Sequence, residues 1–376
     1  YDSSDGTNNL INPVYGDWGY TAIGHEIGHS LGLRHPGNYD AGSGGTITYA
    51  VNAEYIQDTQ QYTIMSYFTA TNTGSDISAS NGYTYYPQTP MMDDIMVIQA
   101  MYGGDTTTRT TDTVYGFNST ANNNVFNFSA NTHPWICIYD ADGTDTLDLS
   151  GWNTASYISL VPGTFSNADG MTNNISIARN TIIENATGGG GNDTLIGNTY
   201  SNILNGGAGA DTMTGGDGSD YYYVDNSGDV VTETNAAAST GGYDRVYSNL
   251  TSYTLPTNIE EGSINIIGSA NLTGNSLDNT LYAGNDDNII DGSGGTDSVS
   301  YYYGATSGVT ANLLITTAQA TGGSGSDTLL NIENLTGSNY NDTLTGDANN
   351  NILNGGVGAD KMTGGTGRDS YKLEYS

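Results

Sequence analysis

His25 and His29 stand four residues apart, and His35 follows six residues later. Residues four apart on a helix share one face, so both imidazoles can point a ring nitrogen at one ion. Glu26, next to the first histidine, would hang over the same ion, where a general base takes the proton of an attacking water. Gly32 is placed to end the helix, because glycine adopts the left-handed backbone that lets a chain turn sharply. That turn brings His35 round as a third ligand. Three neutral imidazoles suit zinc, and three protein ligands leave a position open for water, as catalytic rather than structural sites do. Two histidines at helical spacing are often ordinary surface or core residues. Here five residues fall into register in a chain that has 4 histidines, which argues against chance.

The elements that must hold these residues are short. The spacing predicts a helix from about Tyr20 to Gly32, and a second capped helix over 87–102, with Asp93 and Asp94 in its first turn and Met92, Ile95, Met96 and Met101 on one stripe. Gly103 and Gly104 stop it. Between His35 and Met65 the chain is rich in Gly, Tyr and Thr and reads as loop with short strands. Residues 106–187 alternate in short runs, such as Val125 to Phe128 and Trp135 to Tyr139, that read as strands.

The 376 residues carry 53 Gly, and 40 Asp plus Glu against 7 Lys plus Arg, for a formal charge of -33. Such an excess of carboxylate excludes nucleic acid and anionic membrane surfaces as favoured partners, since both are negative. It favours cations, and calcium, a hard ion that prefers oxygen, is the natural counter-charge. Cys137 is the only cysteine, so no intrachain disulfide staples the fold, and bound metal is the alternative. No apolar run approaches the ~18 residues of a membrane span, so membrane insertion is not expected.

From Gly188 the chain repeats every nine residues: units start at Gly188, Gly197, Gly206 and Gly215, then at Gly274, Ala283 and Gly292, then at Gly337, Gly346, Gly355 and Gly364. Position six is Asp or Asn, and position eight is mostly Leu, Ile, Met or Val. This resembles the calcium-binding nonapeptide of RTX proteins. The resemblance implies a parallel β-roll in which two nonapeptides make one coil, position eight points inward, and turns eighteen residues apart share calcium. Asp193 is then expected opposite Asp211, and Asp342 opposite Asp360. The implied ligands are carbonyls of Gly188, Gly190, Gly206, Gly207, Gly209, Gly215, Gly216, Gly218, Gly355, Gly356 and Gly358, with the carboxylates of Asp193, Asp211, Asp220, Asp297, Asp342, Asp360 and Asp369. Asn202, Asn279, Asn288 and Asn351 replace Asp and should weaken their sites. The stretches 221–271 and 301–334 resemble the spacer strands, not binding calcium, of multi-module RTX proteins. Tyr221 to Tyr223 and Tyr301 to Tyr303 read as strand residues within them.

The histidine motif has the metzincin signature, and Thr63-Ile64-Met65-Ser66-Tyr67, with His35-Pro36-Gly37, resembles the serralysin family of secreted zinc endopeptidases. The resemblance implies His25, His29 and His35 as zinc ligands, Glu26 as catalytic base, Met65 as the methionine beneath the metal, and Tyr67 as both a zinc ligand and a stabiliser of the oxyanion. It further implies a calcium clamp from Arg109, Thr111, Thr113, Asp140, Asp142 and Asp145, with Ile182 and Glu184 in an adjacent site. Thr111 and Asp142 stand where that family has glycine.

The expected fold is mainly β, with a small α+β catalytic portion and a parallel β-roll. Residues 1–105 are expected to form the C-terminal portion of the protease domain, 106–187 a bridging β region, and 188–376 the calcium-binding modules. The expected function is zinc- and calcium-dependent hydrolysis of protein or peptide substrates, outside a Gram-negative cell after type I secretion. An upstream segment of the same protein is expected, because little sequence precedes the zinc helix. The alternative is a calcium-dependent RTX adhesin or surface protein without catalysis.

Overall fold

The computed structural model describes residues 12–39, 46–78, 82–235 and 241–373. The chain forms two compact units, Tyr1–Asn198 with Gly206–Asp211, and Thr199–Asn205 with Thr212–Ser376. Compactness therefore does not divide the chain at 105 or 187.

The first unit holds helices α1 (Trp18–Ser30), α2 (Tyr49–Asn52) and α3 (Met92–Tyr102). α1 starts two residues before the expected Tyr20, after an extended Asp17. At its other end Gly32 takes φ +96, its N–H bonds to the His29 carbonyl at 3.0 Å, and the Leu33 N–H bonds to the Gly28 carbonyl at 2.9 Å. These two reversed bonds satisfy carbonyls that a helix end leaves open, and they need a residue that tolerates positive φ. α3 is shorter than expected: Pro87 to Met91 lie outside it, and the Asp94 carboxylate accepts the Met91 N–H at 2.8 Å as its cap. Met92 is buried and Ile95 and Ile98, partly buried, pack against the core, while Met96 and Met101 are exposed.

α3 and the turns around it share one apolar core with the strands that follow. Leu33, Ile64, Met65, Met91 and Met92 pack with Trp135, Cys137 and Ala178. Ile136–Ile138 pairs in parallel with Ile175–Ile177, which pairs antiparallel with Phe165–Ser166. Val114–Gly116, Thr146–Asp148 and Asn185–Thr187 form another parallel set. Val125 to Phe128 is no strand: Asn124–Phe126 is a 3-10 turn capped by Asn123. Among the described residues from 36 to 62 there is the short α2 and turns but no strand.

The second unit is built mostly from strands of three or four residues that pair in parallel, with a register of eighteen inside the repeats: Ile203 lies beside Tyr221, Thr280 beside Ser298, and Thr343 beside Lys361. Most strands send a central residue inward, and Leu204, Tyr222, Val246, Leu281, Val299, Leu335 and Leu353 are all 0% exposed, whereas Tyr371 in the last strand is half exposed. The spacer continues this sheet, since Arg245–Ser248 and Glu261–Ile264 pair in parallel between Tyr221–Val224 and Thr280–Tyr282. One hairpin, Gln319–Gly322 with Gly325–Leu330, is antiparallel. Tyr221–Val224 is a strand as expected, but Tyr301 to Tyr303 form a turn, with Tyr301 buried and the other two exposed. The chain is mainly β, and its parallel coils are those of a β-roll.

Candidate metal centre

α1 carries His25 and His29, and the turn at Gly32 returns His35 to them. The Nε2 atoms of His25 and His35 lie 3.2 Å apart, and those of His29 and His35 also 3.2 Å. Each ring is fixed from behind. The Nδ1 of His25 lies 2.8 Å from the Ile64 carbonyl, that of His29 2.9 Å from the Leu33 carbonyl, and that of His35 3.1 Å from the Tyr39 carbonyl. A carbonyl can only accept, so each Nδ1 carries the proton and donates, and each Nε2 presents a lone pair. Three lone pairs converge with no proton among them. Nitrogens bound at ~2.0–2.1 Å to one tetrahedral ion would lie about 3.3–3.4 Å apart, close to the spacing seen. Burial, reinforced by the two neighbouring imidazoles, pushes His25 below the usual histidine range and so favours its neutral, ligating form.

The floor is a turn held by buried polar bonds. Asp94 accepts the Thr63 hydroxyl at 2.5 Å and the Ile64 N–H at 2.8 Å, which places the carbonyl that orients His25. Burial pushes the Asp94 carboxyl up to about 6. Met65, 1% exposed, sits under α1, and a Cβ on Gly28 would lie 2.6 Å from its sulfur. Helix and turn approach this closely only because residue 28 has no side chain. Tyr39 stacks on the His35 ring with centroids 5.6 Å apart and donates its hydroxyl to Asp58 at 2.7 Å, an oxygen that the Ser66 hydroxyl shares.

Glu26, His25 and Tyr67 line a cleft of roughly 300 Å³ with Trp18, Thr21, Ala22, Gln60, Ile64 and Ser66. The Tyr67 ring lies 4.5 Å from the His35 ring and 6.0 Å from that of His25. The three histidines, Glu26 and Tyr67 thus meet at one place above Met65. Asp58, Tyr39, Asp94 and the carbonyls of Ile64 and Leu33 belong to the same assembly and were not singled out in the sequence.

The expected calcium loops also come together. The Thr113 N–H donates to Asp145 at 2.8 Å, the Asp145 N–H to Glu184 at 2.7 Å, and the Asp142 N–H to Asp140 at 3.2 Å. The Arg109 guanidinium lies 3.8 Å from Asp140 and bonds the Tyr139 carbonyl. A Cβ on Gly143, at φ +130, would lie 2.9 Å from the Thr111 backbone, so the two loops touch there. The left-handed residues are Arg109 and Gly143, so neither Thr111 nor Asp142 needs glycine's freedom. Ile182 follows Thr181, whose hydroxyl meets the Asp140 backbone, and precedes Glu184 by two residues. Burial pushes Asp145 up to about 7 and raises Asp140 and Glu184 as well.

The same amide-to-carboxylate step recurs along both units. In the first, Ser156 N–H donates to Asp193 and Asp193 N–H to Asp211, at 2.6 and 2.7 Å. In the second, Asn202 N–H donates to Asp220, Asn279 N–H to Asp297, Val309 N–H to Asp342, Asp342 N–H to Asp360 and Asn351 N–H to Asp369. The pairs Asp193 with Asp211 and Asp342 with Asp360 are those expected, and the Asn positions keep their place through the backbone. The glycines are crowded onto this ladder: a Cβ on Gly188, Gly206, Gly215 or Gly355 would come within 2.5 Å of a backbone or aspartate oxygen. Gly207, Gly209, Gly216, Gly218, Gly356 and Gly358 need positive φ. For Gly190 the close neighbour is Asn153 instead.

The spacers contain rungs of the same kind. Asp220 N–H donates to Asp244, Asp244 N–H to Glu260, Asn288 N–H to Asp327 and Asp297 N–H to Glu333. Spacer acids therefore extend the ladder. The signal in the sequence is an acid two residues before a buried one, as in Asp244-Arg245-Val246 and Glu333-Asn334-Leu335, outside the nine-residue register. Burial raises Asp220 to about 7, Asp244 to about 8 and Asp297 to about 6. A nearby cation would offset this cost of burying their charge, which fits the carboxylate-rich donor set to calcium.

Residues 104–252 match the family model Peptidase M10 serralysin C terminal, and residues 268–301 and 336–371 match the RTX calcium-binding nonapeptide repeat. The histidine motif lies before these matched segments. The chain is similar to Serralysin B of Dickeya chrysanthemi, 44% identical over 177 residues, which is 47% of this chain and 36% of that protein. It is 43% identical over 174 residues to Metalloprotease AprA of Pseudomonas entomophila strain L48, covering 46% of this chain and 35% of the relative. Against Serralysin of Photorhabdus luminescens the identity is 41% over 169 residues, 45% of this chain and 34% of the relative. The matched length is thus about a third of each of these relatives.

Proposed function

The chain is a serralysin-like protein with calcium-binding RTX repeats, and from this premise we propose that His25, His29 and His35 hold zinc in a secreted endopeptidase that cleaves protein or peptide substrates. The observation that carries the proposal is the meeting of three Nε2 lone pairs, with neighbours 3.2 Å apart and every Nδ1 tied to a carbonyl. Zinc bound there supplies a Lewis acid for the peptide carbonyl and makes water more acidic. Glu26, in the same cleft, takes the proton of the attacking water and passes it to the leaving amine. The Tyr67 hydroxyl donates to the carbonyl oxygen as negative charge gathers on it. Tyr39 and the three carbonyls hold the rings still while this happens.

Ile23 and Ile27 of α1 and Leu31 just past its end form one exposed stripe, 38%, 54% and 44% accessible, a face that an upstream segment of the same protein would cover. Export by the type I route, with folding on calcium outside the cell, fits the acidity, the single cysteine and the repeats. Among the described residues no helix is long and apolar enough to cross a membrane.

The test is cleavage of a denatured protein substrate by this chain with zinc and calcium, beside Glu26→Ala. We expect cleavage that falls about 100-fold or more in the variant, the range for loss of a general base, with one zinc retained by both. A folded, zinc-loaded chain that cleaves nothing would overturn the proposal for this chain. It would favour the second reading, a calcium-dependent surface protein, which rests on the repeats that continue over 268–301 and 336–371.

A further inference from the structure

The spacer between the first two repeat blocks brings two acids to a third. Asp220 is the sixth residue of the unit that starts at Gly215, whereas Glu233 and Asp244 belong to the stretch without nonapeptide register. Val230–Thr232 pairs in parallel with Thr212–Thr214, and Arg245–Ser248 with Tyr221–Val224, so the spacer wraps one coil around the repeat and delivers Glu233 and Asp244 beside Asp220. One oxygen from each of the three carboxylates lies within 4.8 Å of the other two. Asp220 is 0%, Glu233 5% and Asp244 1% exposed.

Each carboxylate is divided in the same way. Asp220 Oδ1 accepts the Asn202 N–H at 2.7 Å, Asp244 Oδ1 accepts the Asp220 N–H at 2.8 Å, and Glu233 Oε1 accepts the Tyr222 hydroxyl. The other oxygens, Asp220 Oδ2, Glu233 Oε2 and Asp244 Oδ2, are buried with no hydrogen-bond partner. A buried acceptor without a donor is costly, and three from ionised groups in one place are costlier still. Among the described residues no lysine, arginine or histidine is recorded against them: Arg245, next in sequence to Asp244, bonds Glu261, Tyr247 and Tyr282 instead.

We propose that Asp220, Glu233 and Asp244 bind a calcium ion, at a site that takes two of its three carboxylates from the spacer rather than from glycine-rich repeats. Calcium accepts oxygen ligands at ~2.3–2.6 Å, so oxygens on one ion lie up to about 5 Å apart, as these do. An all-carboxylate, irregular and buried set suits it better than magnesium, which keeps its waters and demands octahedral ligands. The ion ties the end of the first repeat block to the coil that follows. It makes the spacer a calcium-dependent element of the roll. The proposal is independent of the zinc centre and of any peptidase activity.

The experiment counts calcium bound to the full chain by equilibrium dialysis, wild type beside Glu233→Gln. The glutamine keeps the size and one acceptor but removes the charge. We expect one ion fewer per chain in the variant at the same free calcium, with hydrogen exchange at 230–248 raised several-fold and that at 343–363 unchanged. Equal stoichiometry and equal affinity would overturn the proposal. Should Glu233→Gln not fold, crystals of the unaltered chain grown in calcium decide. An anomalous peak between the three carboxylates supports the site, and its absence there, with peaks at the repeat turns, refutes it.

Discussion

The histidine centre, proposed to hold zinc, and the coils, which match a calcium-binding repeat, are built by opposite routes. Around the histidines a packed apolar core of Met65, Met91, Met92, Trp135 and Ile64 fixes the backbone, and the backbone carbonyls then fix neutral rings. In the coils most short strands bury one central residue, and what surrounds it is a ladder of carboxylates whose pKa values burial raises. The first region folds and then offers a site. On the proposed reading the second carries buried carboxylates that calcium would neutralise, so its ion binding and folding are expected to be one event.

The sharpest way to break this contrast is to remove calcium. In chelator at neutral pH the strands from Ile203 to Lys372 are expected to unfold, with loss of most far-UV β signal and recovery on adding calcium; an unchanged spectrum would refute a metal-dependent roll. Next comes His29→Ala. It should weaken zinc binding by about 100-fold or more, beyond the ~10–100-fold typical of losing an outer-shell partner, yet leave thermal unfolding of the calcium-loaded protein nearly unmoved. A large loss of stability would mean that the histidines hold the fold as well as the ion.

Gly28→Ala should act in the reverse sense. Its methyl would meet the Met65 sulfur, and overpacking of this kind costs about 1–3 kcal/mol, so the helix-turn region melts earlier while the coils do not. The smallest effect is at Asp94. Its carboxyl is raised by burial to about 6 from an ordinary 3.8, so the folded state takes its proton first as pH falls. Its contribution to stability is full below about 3.8 and is lost as pH rises through about 6. Relative to Asp94→Asn, the wild type should therefore gain in thermal midpoint between pH 7 and pH 4, by an amount on the order of a few degrees. A flat difference would place the Asp94 shift elsewhere.

What could be read from the sequence follows the same division. The histidine motif was legible because helical spacing and one glycine turn encode it locally, and the repeats because a nine-residue period encodes the coil. The carbonyls of Ile64, Leu33 and Tyr39 were not legible, since any residue offers a carbonyl and only the fold chooses which. Asp58 and Asp94 reach their partners across long sequence distances. Glu233, Asp244, Glu260 and Glu333 were missed because their intervals break the period, although their strands keep the coil. Val125 to Phe128 was misread because an apolar run of that length fits a strand and a 3-10 turn equally well.

Hydrogen exchange on the metal-free chain, followed amide by amide, separates the two routes most directly. The N–H groups of Leu33, Ile64 and Ile95, which bond to Gly28, Asp94 and Met91, should stay protected without any ion, while those of Tyr221, Ser298 and Lys361 should exchange as in an unfolded chain until calcium is restored. Loss of protection around the histidines in the metal-free state, or its persistence in the coils, would contradict a preformed centre beside a metal-folded roll.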